Sequence, residues 1–242
     1  MRKALWIIPG LMIAGACSAN GRQAADSGDT SPGQRQFQVG AFQAIDLAGT
    51  PDVIVAVGSA PSVRAEGPRD ALAQLDILVE DGTLKIGPRR EGWFSHGHDL
   101  GHVIVHVTVP SLNAASLTGT GDMRIDQAQA SAFTAAVTGT GDLEIGTLRA
   151  RQASFSITGT GSVRAAGNAD HARISLTGSG DVRLDDLQTG DASVSLLGTG
   201  DVSLRASGAV TGSIMGTGDV NVRGTTRCTV SKMGPGDLHC TA

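Results

Sequence analysis

The sequence predicts an all-β protein in which an antiparallel β region leads into a parallel, right-handed β-helix of about seven coils. Three observations predict this fold class. A Gly-x-Gly tetrad recurs seven times at spacings of 18–20 residues, apolar and polar residues alternate on both sides of each tetrad, and aromatic residues make up only 3% of the chain. A short fixed period is typical of a solenoid, whose units bury their apolar faces by stacking on their neighbours.

Each tetrad is predicted to form a tight corner between two strands. Glycine suits both the first and the third position of such a corner, because it reaches positive φ without a Cβ clash. The predicted corner glycines are Gly119, Gly121, Gly139, Gly141, Gly159, Gly161, Gly178, Gly180, Gly198, Gly200, Gly216, Gly218, Gly234 and Gly236.

The residues after each tetrad alternate with a period of two. In the first repeat, Met123 and Ile125 are apolar and Arg124 between them is polar. This pattern predicts a strand with one face in a core and the other in water. A helical solenoid is excluded by the absence of a 3.6-residue period, and a propeller needs roughly 40 residues per blade. Crossovers between parallel strands favour the right-handed form.

Residues 1–16 are predicted to be a signal peptide of the lipoprotein type. The apolar run of residues 4–14 is shorter than the roughly 20 residues that span a bilayer. It ends in Ala14-Gly15-Ala16-Cys17, which resembles the lipobox of bacterial lipoproteins. That resemblance implies cleavage before Cys17, lipidation of its sulfur and anchoring in the cell envelope, with Ser18 indicating the outer membrane of a host with two membranes. The alternative is an ordinary secretory signal followed by an incidental cysteine.

The rest of the chain divides into a tether and one β domain. Residues 17–36 lack an apolar period and are rich in Gly, Ser, Ala and charge, which predicts a disordered tether behind the lipidated cysteine. Residues 37–242 are predicted to form the β domain. Its first part, residues 37–110, is predicted to be antiparallel, and residues 111–242 hold the β-helix repeats.

Local signals inside the antiparallel part predict four features. Asp81-Gly82 favours a type I′ hairpin, and residues 68–75 are predicted to form a short helix. Residues 53–57 and 62–66 are predicted to be antiparallel strands flanking Gly58-Ser59-Ala60-Pro61. Val103, Val105, Val107 and Val109 recur at every second position, so they are expected to point inward and to leave His102, Ile104, His106 and Thr108 on the other face.

The chain has three cysteines. Assigning Cys17 to lipid leaves Cys228 and Cys240, which fall on inward positions of the two strands of the last repeat. In an oxidising compartment they are predicted to form a disulfide. The alternative is a pair of small buried thiols that stay reduced.

The aspartate that ends six of the seven tetrads is a candidate metal ligand. Stacked coils would place successive carboxylates about 4.8 Å apart, and calcium prefers several oxygen ligands. The alternative, which we favour, is that each Asp accepts a hydrogen bond from a backbone N–H at its own corner. These residues are Asp122, Asp142, Asp181, Asp201, Asp219 and Asp237, with Ser162 in the third tetrad.

A second candidate metal site lies in a histidine-containing segment. His96, His98 and Asp99 could hold zinc or copper only if their loop folded around the ion. His102 and His106 share one strand face but lie ~13 Å apart along it, too far to share one ion. A polar hairpin loop without metal is the favoured interpretation, and we expect no cofactor.

The domain resembles the GIN domains, the auto-transporter adhesin head family of bacterial envelope proteins. The matching features are the strand 52–58, the hairpin strand 82–86, and the strand 103–110 that runs into the Gly-x-Gly-Asp series. The resemblance covers residues 37–242. It implies a β-rich start followed by a β-helix, and it implies no catalytic residues.

The leading functional hypothesis is a non-enzymatic, lipid-anchored bacterial envelope protein whose β-helix binds a surface or envelope partner. The alternatives are a carbohydrate-active β-helix enzyme, which would need converging carboxylates, and a metal-binding envelope protein. Nucleic acid is not expected as a partner, because the net charge of −4 offers no basic footprint. The sequence leaves the ligand and the oligomeric state open.

Overall fold

The computed structural model describes residues 31–89 and 102–242, which form seventeen strands and one short helix. Cys17, the signal peptide, His96, His98 and Asp99 lie outside these described residues. The elements are β1 Pro32–Phe37, β2 Ala44–Gly49, β3 Asp52–Val57, β4 Ser62–Pro68, α1 Arg69–Gln74, β5 Leu75–Glu80, β6 Thr83–Pro88, β7 Ile104–Val109, β8 Ala114–Gly119, β9 Met123–Gly139, β10 Leu143–Gly159, β11 Val163–Gly178, β12 Val182–Gly198, β13 Val202–Ala206, β14 Val210–Gly216, β15 Val220–Arg223, β16 Cys228–Met233 and β17 Leu238–Thr241.

The tetrad repeats form a parallel β-solenoid, as predicted. Each of the long strands β9 to β12 runs from one tetrad to the next and pairs in parallel with the strand one coil away. The register places the first glycines of successive tetrads side by side, as with Gly139 between Gly119 and Gly159. About six turns of the solenoid follow the antiparallel region.

The core is a stack of equivalent apolar side chains. In the first repeat Met123 and Ile125 are buried after the tetrad, and Ala135 and Val137 are buried before the next one. The corresponding residues after the tetrads are buried as far as Val220 and Val222, and Leu238 and Cys240 of the last coil are partly buried, which confirms the inward positions inferred from the period of two. Burying each Val, Leu or Ile contributes roughly 1.5–3 kcal/mol relative to exposure, so a repeated column of such residues holds the coils together.

The predicted antiparallel region is antiparallel only at its outer layer. Strand β2 pairs in parallel with β6 and β8, and β3 pairs in parallel with β7 and β9. The predicted pairing of residues 53–57 with 62–66 is wrong, because β7 lies between β3 and β4. Both Val53 and Val55 are buried, which fits an inner strand with neighbours on two sides. Residues 44–57 therefore already belong to the solenoid.

Three antiparallel pairs complete this end of the solenoid. Strand β5 pairs with β6 across Asp81-Gly82, whose φ values of 49° and 73° fit the predicted type I′ turn. Strand β4 pairs with β7 and with β1. The predicted helix is present as α1 and buries Leu72. Val103, Val105, Val107 and Val109 are all buried, as expected.

The predicted boundary between tether and domain at residue 37 is wrong. Strand β1 begins at Pro32 and pairs with β4 along its whole length. The Arg35 guanidinium lies 4.5 Å from the Phe37 ring and donates to the carbonyl of Leu72 at 3.1 Å. Because residues 33–36 are Gly, Gln, Arg and Gln, no apolar alternation marks this strand in the sequence. The ordered domain starts before residue 37.

Candidate functional site

The corner glycines lie where they were predicted, but for two different reasons. The first glycine of each tetrad has a φ between 125° and 139°, a region that side chains disfavour. The third glycine has no positive φ. A Cβ there would instead lie 1.8–2.3 Å from a backbone carbonyl of the preceding coil, as between Gly200 and Gly180. The third position needs glycine because the coils stack too closely for any side chain, which corrects the explanation from φ alone.

The aspartate column links successive coils, with one interruption at Ser162. The Oδ1 atom of Asp122 accepts the backbone N–H of Asp142 at 2.9 Å, and Asp142 accepts that of Ser162 at 2.8 Å. The same bond joins Asp181 to Asp201, Asp201 to Asp219, and Asp219 to Asp237. The expected bond at each aspartate's own corner is therefore wrong, because the side chain points along the stack. These carboxylates serve as structural acceptors between coils.

The structure has an eighth corner, at Gly49, that the Gly-x-Gly repeat did not predict. Gly49-Thr50-Pro51-Asp52 stacks directly on the first predicted tetrad, with Gly49 in register with Gly119 and a φ of 109°. Proline occupies the position where the other corners have glycine, so the Gly-x-Gly pattern does not match. The rest of the repeat pattern is present in the sequence, since Gly-Thr-x-Asp is followed by Val53 and Val55, which are buried.

His102 and His106 are the two histidines of the second metal candidate that the structure describes, and they lie near different acidic side chains. His102 Nε2 lies 3.0 Å from Asp52 Oδ2, whereas His106 Nε2 lies 3.9 Å from Glu66 Oε2. Within residues 31–89 and 102–242, no group of three or more His, Cys, Asp or Glu side chains is placed to hold a metal ion. The proposal that His96, His98 and Asp99 bind a metal falls outside the described residues and stays a hypothesis.

One side of the solenoid presents a surface of small hydroxyl side chains, which we call the outer face. It consists of the outward positions in the strand that precedes each corner, represented in the first coil by Thr134, Ala136 and Thr138. The equivalent positions align in register from coil to coil. The hydroxyl residues of this face are Ser116, Thr118, Thr134, Thr138, Ser154, Ser156, Thr158, Ser175, Thr177, Ser193, Ser195, Thr211, Ser213, Thr229 and Ser231.

The outer face becomes apolar towards the end of the solenoid. The column that holds Thr138, Thr158 and Thr177 continues as Leu197, Met215 and Met233. These three side chains are 49%, 44% and 69% exposed. Large apolar side chains that share one exposed column are typical of contact surfaces.

An open groove of about 480 Å³ overlaps the edge of the outer face, from which Ser154, Ser193 and Thr211 contribute to its lining. It crosses four successive strands, β10, β11, β12 and β14. Its walls include Gln152, His171, Arg173 and Asp191, and alanines contribute to its floor. A neighbouring concavity of about 360 Å³, lined by Ser131, Arg151 and Asp170 among others, is smaller.

The last coil is closed by the predicted disulfide. Cys228 on β16 and Cys240 on β17 are bonded, with their Cα atoms 6.7 Å apart. In the same coil Lys232 stands in register with the buried Ile214 of the preceding coil, and its Nζ donates to Asp237 Oδ1 at 2.7 Å. A lysine on an outer strand discourages edge-to-edge pairing with another sheet. The geometry of this coil is that of a cap.

The fold is a parallel β-solenoid whose last coil is closed by a disulfide. The family described as "Putative auto-transporter adhesin, head GIN domain" matches residues 41–226, and the chain belongs to this family. The resemblance inferred from the sequence is thereby confirmed. In the described residues, no helix has the length and apolar character needed to cross a membrane.

Solved structures share the fold at low sequence identity. A protein from Bacteroides fragilis described as a putative adhesin is 22% identical, with a TM-score of 0.81 over 87% of this chain and 97% of the other. A Parabacteroides distasonis protein described as a putative lipid binding protein is 21% identical, with a TM-score of 0.72 over 89% of this chain and 98% of the other. A putative adhesin from Parabacteroides merdae is 18% identical, with a TM-score of 0.63 over 88% and 97%. No curated protein matches the chain.

Proposed function

We propose that this protein is a lipid-anchored component of the bacterial cell envelope that binds a surface or envelope partner through its outer face and has no catalytic role. The observation that carries the proposal is the outer face itself, where hydroxyl columns lead into the exposed apolar column of Leu197, Met215 and Met233. Short side chains lose little conformational entropy when a partner covers them. A rigid parallel sheet presents them at a fixed spacing of about 4.8 Å.

The number of carboxylates in the groove supports binding rather than hydrolysis. Glycoside hydrolysis generally uses two converging carboxyl groups. The groove at the edge of the outer face contains one acidic side chain, Asp191, and its Oδ1 accepts the backbone N–H of Ala209 at 2.8 Å. The alternative of a carbohydrate-active enzyme therefore has less support than a binding role.

The anchor and the binding face belong to opposite parts of the chain. The lipobox-like Cys17 precedes β1, which forms part of the antiparallel end, whereas the apolar column lies in the last three coils. A lipidated Cys17 would attach the protein to the envelope at its amino-terminal end. The apolar column would then lie at the end of the stack away from the attachment.

Site-specific photo-crosslinking in the native envelope tests the proposal. A photoreactive residue at Met215 is expected to give a discrete crosslinked product in cells that carry the anchored protein. The matched control replaces Ile54, which is 40% exposed on β3 outside the outer face, and it is expected to give none. Equal products from both positions, or none from Met215, would contradict binding through the outer face.

A further inference from the structure

The groove lies over one column of aligned inward residues. Phe133 begins this column in the first coil, and the aligned residues of the next three coils are Ala153, Ala172 and Ala192. Val210 then follows in the next coil. All five of these side chains are buried, so the groove is bounded by the outward residues on either side of the alanines, such as Gln152 and Ser154 in β10.

Arg173 lies at the centre of the groove, and its guanidinium has no ion-pair or hydrogen-bond partner among the described residues. Arg173 is exposed and lies in register between Ser154 and Ser193. By contrast, Arg124 and Arg183 are paired with Glu144 and Asp181. A guanidinium with no carboxylate partner in its own chain is available to an anionic ligand.

The rest of the groove complements hydroxyl groups. Gln152 and His171 form one wall, and both the carboxamide and the imidazole can donate and accept hydrogen bonds. The single acidic side chain of the groove is already engaged, since Asp191 accepts the Ala209 N–H and its Oδ2 lies 3.8 Å from His171 Nδ1.

We propose that the groove binds a linear glycan that carries a carboxylate, with the carboxylate on Arg173 and the sugar hydroxyls on Gln152, His171, Ser154 and Ser193. Arginine binds carboxylates through two parallel hydrogen bonds. The open groove spans four coils about 4.8 Å apart, which suits a ligand with a regular repeat. An acidic peptide fits less well, because the strands β10, β11, β12 and β14 are already paired on both sides and offer no edge for strand addition. This proposal rests on the proposed binding function and names the chemistry of the partner.

Calorimetric titration of the full chain in detergent with tetragalacturonate tests this site. Saturable binding is expected, and the fully methyl-esterified tetrasaccharide should bind about tenfold more weakly, because it keeps the hydroxyls and loses the charge. Arg173→Ala should weaken binding about tenfold or more. The affinity of Arg173→Lys should lie between those of the wild type and Arg173→Ala, since lysine keeps the positive charge but lacks the two parallel N–H donors of the guanidinium. Higher salt should weaken binding by the wild type.

Arg164→Ala is the matched control. Arg164 is also exposed on β11 and also has no partner among the described residues, but it does not line the groove. This variant should bind like the wild type, and unchanged circular dichroism should accompany both substitutions. Absence of binding, equal affinity for the ester, equal loss in both variants, or tighter binding of an oligoglutamate peptide would overturn the proposal. A Met215 crosslink that persists alongside such a result would leave the broader binding function standing.

Discussion

Asp52 Oδ1 accepts the backbone N–H of Asp122 at 2.9 Å across 70 residues of sequence. The other oxygen of the same carboxylate lies 3.0 Å from His102 Nε2. One side chain thus joins β3, the first predicted tetrad and the start of β7. Since the same bond recurs between later tetrads, Asp52 begins the column that the repeats continue.

Asp201 provides a test of the aspartate column. Its Oδ1 accepts the N–H of Asp219, and its own N–H donates to Asp181. Asp201→Ala should lower the free energy of unfolding by about 1 kcal/mol, because it removes the acceptor of the Asp219 N–H. Asp201→Asn keeps an acceptor oxygen and should lose less. Denaturant unfolding of both variants measures the difference, and equal losses would contradict the structural role of the acceptor.

The same column predicts no response to chelation. In every coil but the one with Ser162 and the last, an aspartate oxygen accepts a backbone N–H of the next corner, so we expect the fold to need no cation to neutralise the stack. Repulsion between exposed carboxylates is on the order of 1 kcal/mol in water. The thermal midpoint of the wild type should be the same with EDTA as with millimolar calcium. A calcium-dependent increase would support the calcium alternative instead.

Gly200 tests the close stacking of the corners. An added Cβ would lie 1.8 Å from the Gly180 carbonyl oxygen, and backbone on both sides leaves little room to yield. Gly200→Ala should destabilise the protein by about 3 kcal/mol or more, and Gly200→Val by at least as much. Thr199→Ser is the neighbouring control, because it keeps the hydroxyl that donates to Ser179 Oγ at 3.0 Å. A wild-type thermal midpoint for Gly200→Ala would exclude this stacking geometry.

Reduction of the Cys228–Cys240 disulfide should loosen the last coil first. In the described structure this coil stacks on another coil on one side only. The disulfide joins two cysteines that are 12 residues apart in the sequence. Loss of such a cross-link costs roughly 2–3 kcal/mol. Amide exchange should therefore accelerate in β16 and β17 after reduction, while exchange in β10 and β11 stays unchanged. Free thiols at both positions in protein purified from the envelope would refute the cap.

The Lys232–Asp237 pair predicts an acid-sensitive contact in the same coil. The hydrogen bond from Lys232, together with its charge, lowers the pKa of Asp237, and His239 adds a smaller effect in the same direction. A lowered pKa in the folded state means that the contribution to stability is complete above the usual aspartate value of about 3.9 and is lost as the pH falls through the folded value. In Lys232→Met, the pKa of Asp237 followed by NMR should rise towards its ordinary value. Arg183→Met, which alters a distant pair, should leave it unchanged.

Cys17 tests the proposed anchor. Replacement by Ser removes the sulfur that would carry the diacylglyceryl group, so Cys17→Ser should abolish palmitate incorporation and shift the protein out of the membrane fraction. Ser18→Ala is the adjacent control and should retain labelling. Palmitate incorporation equal to wild type in Cys17→Ser would refute lipidation at this position.

The sequence by itself determined the solenoid and its inward positions. A period of 18–20 residues with apolar residues at the fifth and seventh positions allows few folds, because each coil must bury the same side chains against its neighbours. The hairpin at Asp81-Gly82 followed from its dipeptide alone, since both residues need positive φ. Both features can be read directly from the sequence, because the hairpin depends on two adjacent residues and the solenoid on a residue pattern that repeats.

Only the tertiary structure decided which distant segments stack. The pairing of β3 with β7 and β9, rather than with β4, depends on contacts between strands far apart in sequence, and the pattern of Val53 and Val55 is equally consistent with either partner. The corner at Gly49 and the groove around Arg173 depend on the same register. Arg173 and Ser193 come together because one coil of the solenoid places residues 20 positions apart in adjacent strands, a proximity that follows from parallel stacking and from no feature of either residue alone.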